Sequence, residues 1–127
     1  MSNLLIVHGG APTAVMNSSL YGVIEEARDS GKIEHVYGAI GGSEAVLKEN
    51  FMDLMAFSKS EIKKLLHTPA SAIGTSRFAL EEEHYDLMAK ILKKNNIQYV
   101  LMNGGNGTMD TCGKLYQVCK DMGISVV

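Results

Sequence analysis

A chain of 127 residues, 46% of them hydrophobic, can bury one core but not two independent ones, so a single domain is expected. The formal net charge of -2, with lysines dispersed from Lys32 to Lys120, provides no basic face for a nucleic-acid backbone or an anionic membrane surface. No charged leader followed by an apolar segment opens the chain and no apolar stretch reaches spanning length, the pattern of a cytoplasmic protein.

In chain order, Asn3-Leu4-Leu5-Ile6-Val7-His8 is an apolar run of the kind found in strands covered on both faces. Gly9 ends it, and His8 at the strand end reads as a polar rim residue. From Val15 to about Ala27 the residues Met16, Leu20, Val23, Ile24 and Ala27 recur at helical spacing, and Ser30-Gly31 supplies the stop. His35 to Ile40 gives a second short strand, closed by Gly41-Gly42. Phe51, Leu54, Met55 and Phe57 follow no single period, so that stretch receives no firm element.

Ser58 with Glu61 three residues later has the form of a capping box, opening a short helix that must stop before Pro69. Residues 68–78 then read as a loop or strand edge. A helix is expected from Glu81 to Asn95 with Met88, Ile91 and Leu92 inward, followed by a strand from Ile97 to Met102. The last helix should begin near Thr108, carry a stripe of Cys112, Leu115, Tyr116, Cys119 and Met122, and stop at Gly123 before one more buried strand, Ile124 to Val127. Its two cysteines are separated by about 10 Å along the axis, beyond disulfide reach, and read as reduced core thiols. Strand and helix alternate throughout, which argues for an α/β fold with a mostly parallel sheet between two helical layers, a three-layer αβα arrangement.

Two glycine-rich turns carry the chemistry: His8-Gly9-Gly10-Ala11-Pro12-Thr13-Ala14 and Asn103-Gly104-Gly105-Asn106-Gly107-Thr108. Each lies where a strand hands over to a helix, where the first helical amides have no partner and the dipole favours an anion. Neither turn is followed by the lysine and hydroxyl residue of a P-loop, and neither keeps the full dinucleotide-binding spacing. A phosphate-handling protein outside both of those classes is expected.

Gly9-Gly10-Ala11-Pro12-Thr13-Ala14-Val15-Met16-Asn17, Gly74-Thr75-Ser76-Arg77-Phe78 and Gly104-Gly105-Asn106-Gly107-Thr108-Met109-Asp110-Thr111, in this order and spacing, resemble the N-terminal part of the 6-phosphofructokinases. The resemblance is strongest to the branch related to pyrophosphate-dependent enzymes and covers essentially the whole chain. It implies a Rossmann-like, phosphofructokinase-type nucleotide-binding half, with residues 1–127 as its donor-phosphate-binding N-terminal domain. It further implies transfer of a phosphoryl group from ATP or pyrophosphate to the C1 hydroxyl of fructose 6-phosphate, with Mg2+, in a homo-oligomer.

The implied roles are specific. Gly10 brings the first turn against the donor phosphates, Arg77 stabilises charge on the transferring group, and Gly105, Asn106, Gly107 and Thr108 hold the donor phosphates at the start of the last helix. Phe78 falls at a donor-contact position, with a core role as the other reading. Asn106 stands where ATP-dependent relatives usually carry a magnesium-holding aspartate; Asp110 either assists through water or is a helix-start residue favoured by the dipole. Gly107 leaves room for a nucleotide α-phosphate where pyrophosphate users commonly carry aspartate, which tilts the donor towards ATP, whereas Ile40 replaces an aromatic residue that many ATP-dependent relatives set against adenine. The family's aspartate base lies in a threonine-isoleucine-aspartate segment after the last strand, so the chain is expected to be truncated before it and inactive alone. The competing reading is a non-catalytic nucleotide- or phosphate-binding regulatory module or an incomplete fragment.

Overall fold

The computed structural model describes residues 2–127. The chain runs β1 (Ser2–His8), α1 (Ala14–Ser30), β2 (Ile33–Ala39), α2 (Ser43–Leu47), β3 (Phe51–Asp53), a 3-10 turn (Leu54–Ala56), α3 (Lys59–Lys63), a second 3-10 turn (Lys64–His67), α4 (Glu82–Lys94), β4 (Ile97–Asn103), α5 (Asn106–Cys119) and β5 (Ser125–Val126). Among the described residues the strands form one sheet in the order β3-β2-β1-β4-β5. All pairings are parallel except that of β3, which runs antiparallel to β2.

The apolar run of β1 makes it the central strand. Leu5 and Val7 face one layer, packing with Met88 and Leu92 of α4 and Leu115 and Cys119 of α5. Leu4 and Ile6 face the other, with Leu20 and Ile24 of α1 and Ile62 of α3. Helices therefore cover both faces, the three-layer arrangement expected of a parallel sheet. Each fully buried aliphatic side chain contributes about 1.5–3 kcal/mol, and the alternation commits the register, because a one-residue slip of β1 would send every one of these groups into the opposite layer.

Local signals set the helix ends. α1 closes at Gly31, which adopts the left-handed conformation. The capping box of α3 forms, with the Glu61 N–H donating to Ser58 Oγ at 3.2 Å and the Ser58 N–H donating to Glu61 Oε1 at 3.1 Å. The Glu81 N–H similarly donates to His84 Nδ1 at 2.8 Å and opens α4. Both cysteines are free; Cys119 is buried, and burial pushes its thiol up to about 11.

Three features depart from the sequence expectations. α5 begins at Asn106, not near Thr108, because Gly105 rather than a later residue takes the extended N-cap conformation. β5 is an edge strand with Val126 buried and Ser125 and Val127 exposed, so it is covered on one face only. His8 is no rim residue: it is 1% exposed, because its side chain follows Leu4 and Ile6 into the layer beneath α1, under the loop at Ser71.

Candidate phosphate-binding site

From β1 the chain moves outward to β2 on one side, then returns across the sheet to place β4 on the other side of β1. Ligands in open α/β sheets bind beyond the carboxyl ends of the strands at such a reversal. His8 is paired with Asn103 at the ends of β1 and β4, and the Gly9 N–H donates to the Asn103 carbonyl at 2.8 Å. The two glycine turns therefore start side by side.

They then pack backbone against backbone. A Cβ on Gly10, whose φ is +71°, would lie 3.2 Å from the Gly105 nitrogen. One on Gly104 would lie 2.7 Å from the Gly9 carbonyl oxygen and would strike the Thr108 side chain. Only glycine allows this approach. The turns border a cleft formed by Gly9, Gly10, Gly105, Gly107 and Thr108, with Ser43, Ser76 and Phe78 on the facing wall.

The starts of α1 and α5, the helices that follow the two glycine turns, differ from those of α3 and α4. α3 and α4 have capping boxes and acidic residues in their first turns. Among the described residues, neither Thr13 before α1 nor Gly105 before α5 provides a side-chain cap, and neither first turn carries an acidic residue. The opening amides of α5 thus keep their donors and the positive end of the dipole unneutralised beside an open cleft, which is the chemistry of an anion site.

Of the expected site residues, Gly10, Gly105, Gly107, Thr108 and Phe78 meet at the cleft. Phe78 is 42% exposed with its ring centroid 5.3 Å from that of His84, so it belongs to the rim and not to the core. Arg77 lies between two wall residues, Ser76 and Phe78, but is itself exposed and makes no hydrogen bond or ion pair among the described residues. Asn106 is the exposed first residue of α5, next to the cleft residues Gly105 and Gly107. Asp110 is one helical turn further on, its carboxylate 2.9 Å from Lys114 Nζ. Ile40 packs against the α1 layer.

Two residues to which the sequence assigned no part in the site, Asn17 and the supposed rim residue His8, are fastened around the first turn. Asn17 is fully buried; its Nδ2 donates to the carbonyls of Thr68 at 2.7 Å and Ala70 at 2.8 Å, and its Oδ1 accepts from the Ala72 N–H at 2.7 Å. The signal was a polar residue placed three and seven positions before the inward Leu20 and Ile24. His8 Nδ1 is hydrogen-bonded to Ser71 Oγ at 2.7 Å, and burial pushes the imidazole down to about 4. Its Nε2 is buried with no partner among the described residues.

Comparison with known proteins agrees with this fold. The Phosphofructokinase family model matches residues 3–127. A pyrophosphate--fructose 6-phosphate 1-phosphotransferase of Halomonas elongata is 35% identical over 127 residues, covering 95% of this chain and 30% of its own. One of Rhodospirillum rubrum is 34% identical over 108 residues, covering 85% of this chain and 27% of its own. The crystal structure of a pyrophosphate-dependent phosphofructokinase from Nitrosospira multiformis superposes with a TM-score of 0.89 at 34% identity, over 98% of this chain and 32% of that one. The chain thus spans less than a third of the length of these relatives. Given a family match that runs from Asn3 to the last residue and a superposition over 98% of the chain, this chain belongs to the phosphofructokinase family.

Proposed function

We propose that this chain supplies the donor-phosphate-binding part of an enzyme that moves a phosphoryl group from pyrophosphate or ATP to the C1 hydroxyl of fructose 6-phosphate. The observation that carries the reading is the abutment of two glycine turns at the ends of β1 and β4, with the uncapped start of α5 opening onto their shared cleft. Phosphoryl transfer is mainly positioning and charge neutralisation, so a site of this kind needs main-chain donors and a guanidinium more than it needs a nucleophile. Gly10 and Gly105 to Thr108 would present main-chain nitrogens to the donor, and the Thr108 hydroxyl would add a further donor. Arg77, anchored between two wall residues, would reach the phosphate oxygens from the rim, where its planar fork suits them better than an ammonium would.

Magnesium commonly takes one or two protein ligands and completes its shell with water and phosphate oxygens. Asn106 and Asp110 lie one turn apart on the same side of α5 and fit such a partial set, once Asp110 exchanges Lys114 for the ion. When bound, the ion would neutralise charge on the donor phosphates. Two observations bear on the donor. The curated relatives are named for pyrophosphate, whereas a Cβ at Gly107 would meet nothing within 4 Å, leaving space in the cleft for a longer, nucleotide donor.

Calorimetric titration of the chain with pyrophosphate, ATP and ADP, each with and without Mg2+, tests the reading. Saturable binding of pyrophosphate or ATP that weakens about tenfold in Arg77→Ala is the expected result. Absence of binding by all three would overturn it.

A further inference from the structure

We infer that Asn17 and His8 are positioning residues for Arg77, clamping the 68–78 loop so that the guanidinium leaves from a fixed backbone; this rests on the donor-site reading above. The loop has no regular structure and would ordinarily fluctuate. Here it is fastened along its length. Asn17 uses both amide hydrogens and its carbonyl oxygen on the main chain of Thr68, Ala70 and Ala72. Those bonds hold Ala70 at φ +57°, a conformation that an alanine avoids without such support. His8 grips Ser71 between these anchor points.

Beyond the clamp, the Gly41 N–H donates to the Ile73 carbonyl at 2.9 Å, Ser76 Oγ accepts from the Glu44 N–H at 3.4 Å, and Phe78 rests on His84. Between the last two of these anchors, Ser76 and Phe78, the side chain of Arg77 makes no hydrogen bond or ion pair among the described residues. The placement is economical: His8 immediately precedes the first glycine turn and Asn17 lies in the first turn of the helix that follows it. The segment that offers main-chain donors to a phosphate therefore also sets where the arginine stands. His8 supports the inference from another side. An apolar residue would fill its place without stranding a buried ring nitrogen, so the Ser71 bond is what the histidine adds.

A double-mutant cycle on the 127-residue chain tests the assignment, with pyrophosphate and ATP as calorimetric probes. Ser71→Ala removes the partner of His8 at a half-buried position with little loss of packing, and Asn17→Ser loosens the larger clamp. Loss of one hydrogen bond should weaken binding of the better probe about fivefold in the native background and leave it unchanged in Arg77→Ala. Tryptic cleavage after Arg77 should accelerate by a similar factor. Equal weakening in both backgrounds, or none in either, overturns the inference while the donor reading stands. A native chain that binds neither probe overturns both. Should Asn17→Ser fail to fold, Ser71→Ala alone decides the outcome.

Discussion

His8 takes up a proton more readily in the unfolded chain than in the native one, because burial lowers its pKa from 6.5 to about 4. Above pH 6.5 both states are neutral at this residue and it imposes no pH dependence. Between pH 6.5 and 4 the unfolded state binds the proton first, so stability falls, by about 3 kcal/mol in all, and the slope ends below the native pKa. Denaturant titrations across this range should show that His8→Leu removes this part of the acid limb; an unchanged limb would mean that the imidazole is not held neutral by burial. At Gly104 the constraint is steric. A methyl group would meet the Gly9 carbonyl oxygen at 2.7 Å, a main-chain atom that cannot swing aside, so Gly104→Ala should cost about 2 kcal/mol in chemical denaturation and also weaken pyrophosphate or ATP binding. Gly107→Ala, which meets nothing, serves as the control and should be stable to within about 0.5 kcal/mol.

At the scale of elements, the start of α5 lacks a side-chain cap, and the proposed donor site would use the amides this leaves open. Gly105 has φ -92°, open to any residue, and free space for a side chain, so Gly105→Asp should cap the helix and oppose its dipole. Stability should rise by about 0.5 kcal/mol while anion affinity falls at least about tenfold, the new carboxylate occupying the place of the phosphate. Calorimetry and thermal melts on the one variant read both effects, and a rise in affinity would contradict the assignment of that helix end. The elements that periodicity revealed are those whose burial repeats along the chain: β1, α1, β2, α4, β4 and α5. α2, β3 and the turn at Leu54 escaped because they are short and are held by contacts distant in sequence or by side chains. Asn50 exchanges bonds with Ile40 through both main chain and side chain, and the Asp53 carboxylate accepts from the Met55 N–H at 3.0 Å. The same division runs through the site. The glycines and Thr108 were legible because a strand-to-helix turn is a local pattern. Ser43 and Ser76 on the far wall, and the grip of Asn17 and His8 on the loop, exist only once the sheet has formed.

At the scale of the whole molecule, no helix among the described residues is long and apolar enough to cross a membrane. Apolar surface is nonetheless gathered at one edge. Met109 and Tyr116 on α5 and Val127 beyond β5 are exposed around a groove containing Met102, Cys112 and Val126. An open strand edge beside such a groove favours association. Sedimentation velocity should show mass rising with concentration, and Met109→Lys with Tyr116→Lys should reverse it; a monomer at every concentration would count against a role for this face. Finally, the hydrogen bond from Gly9 to Asn103 joins residues from nearly opposite ends of the polypeptide, with the 68–78 loop in between. Cutting the chain within that loop would leave one bend on each piece. On the proposed donor reading neither piece alone would cradle a phosphate, and mixing them should restore the cradle only as the two halves of the sheet zip together, so ligand capture would report their reassembly.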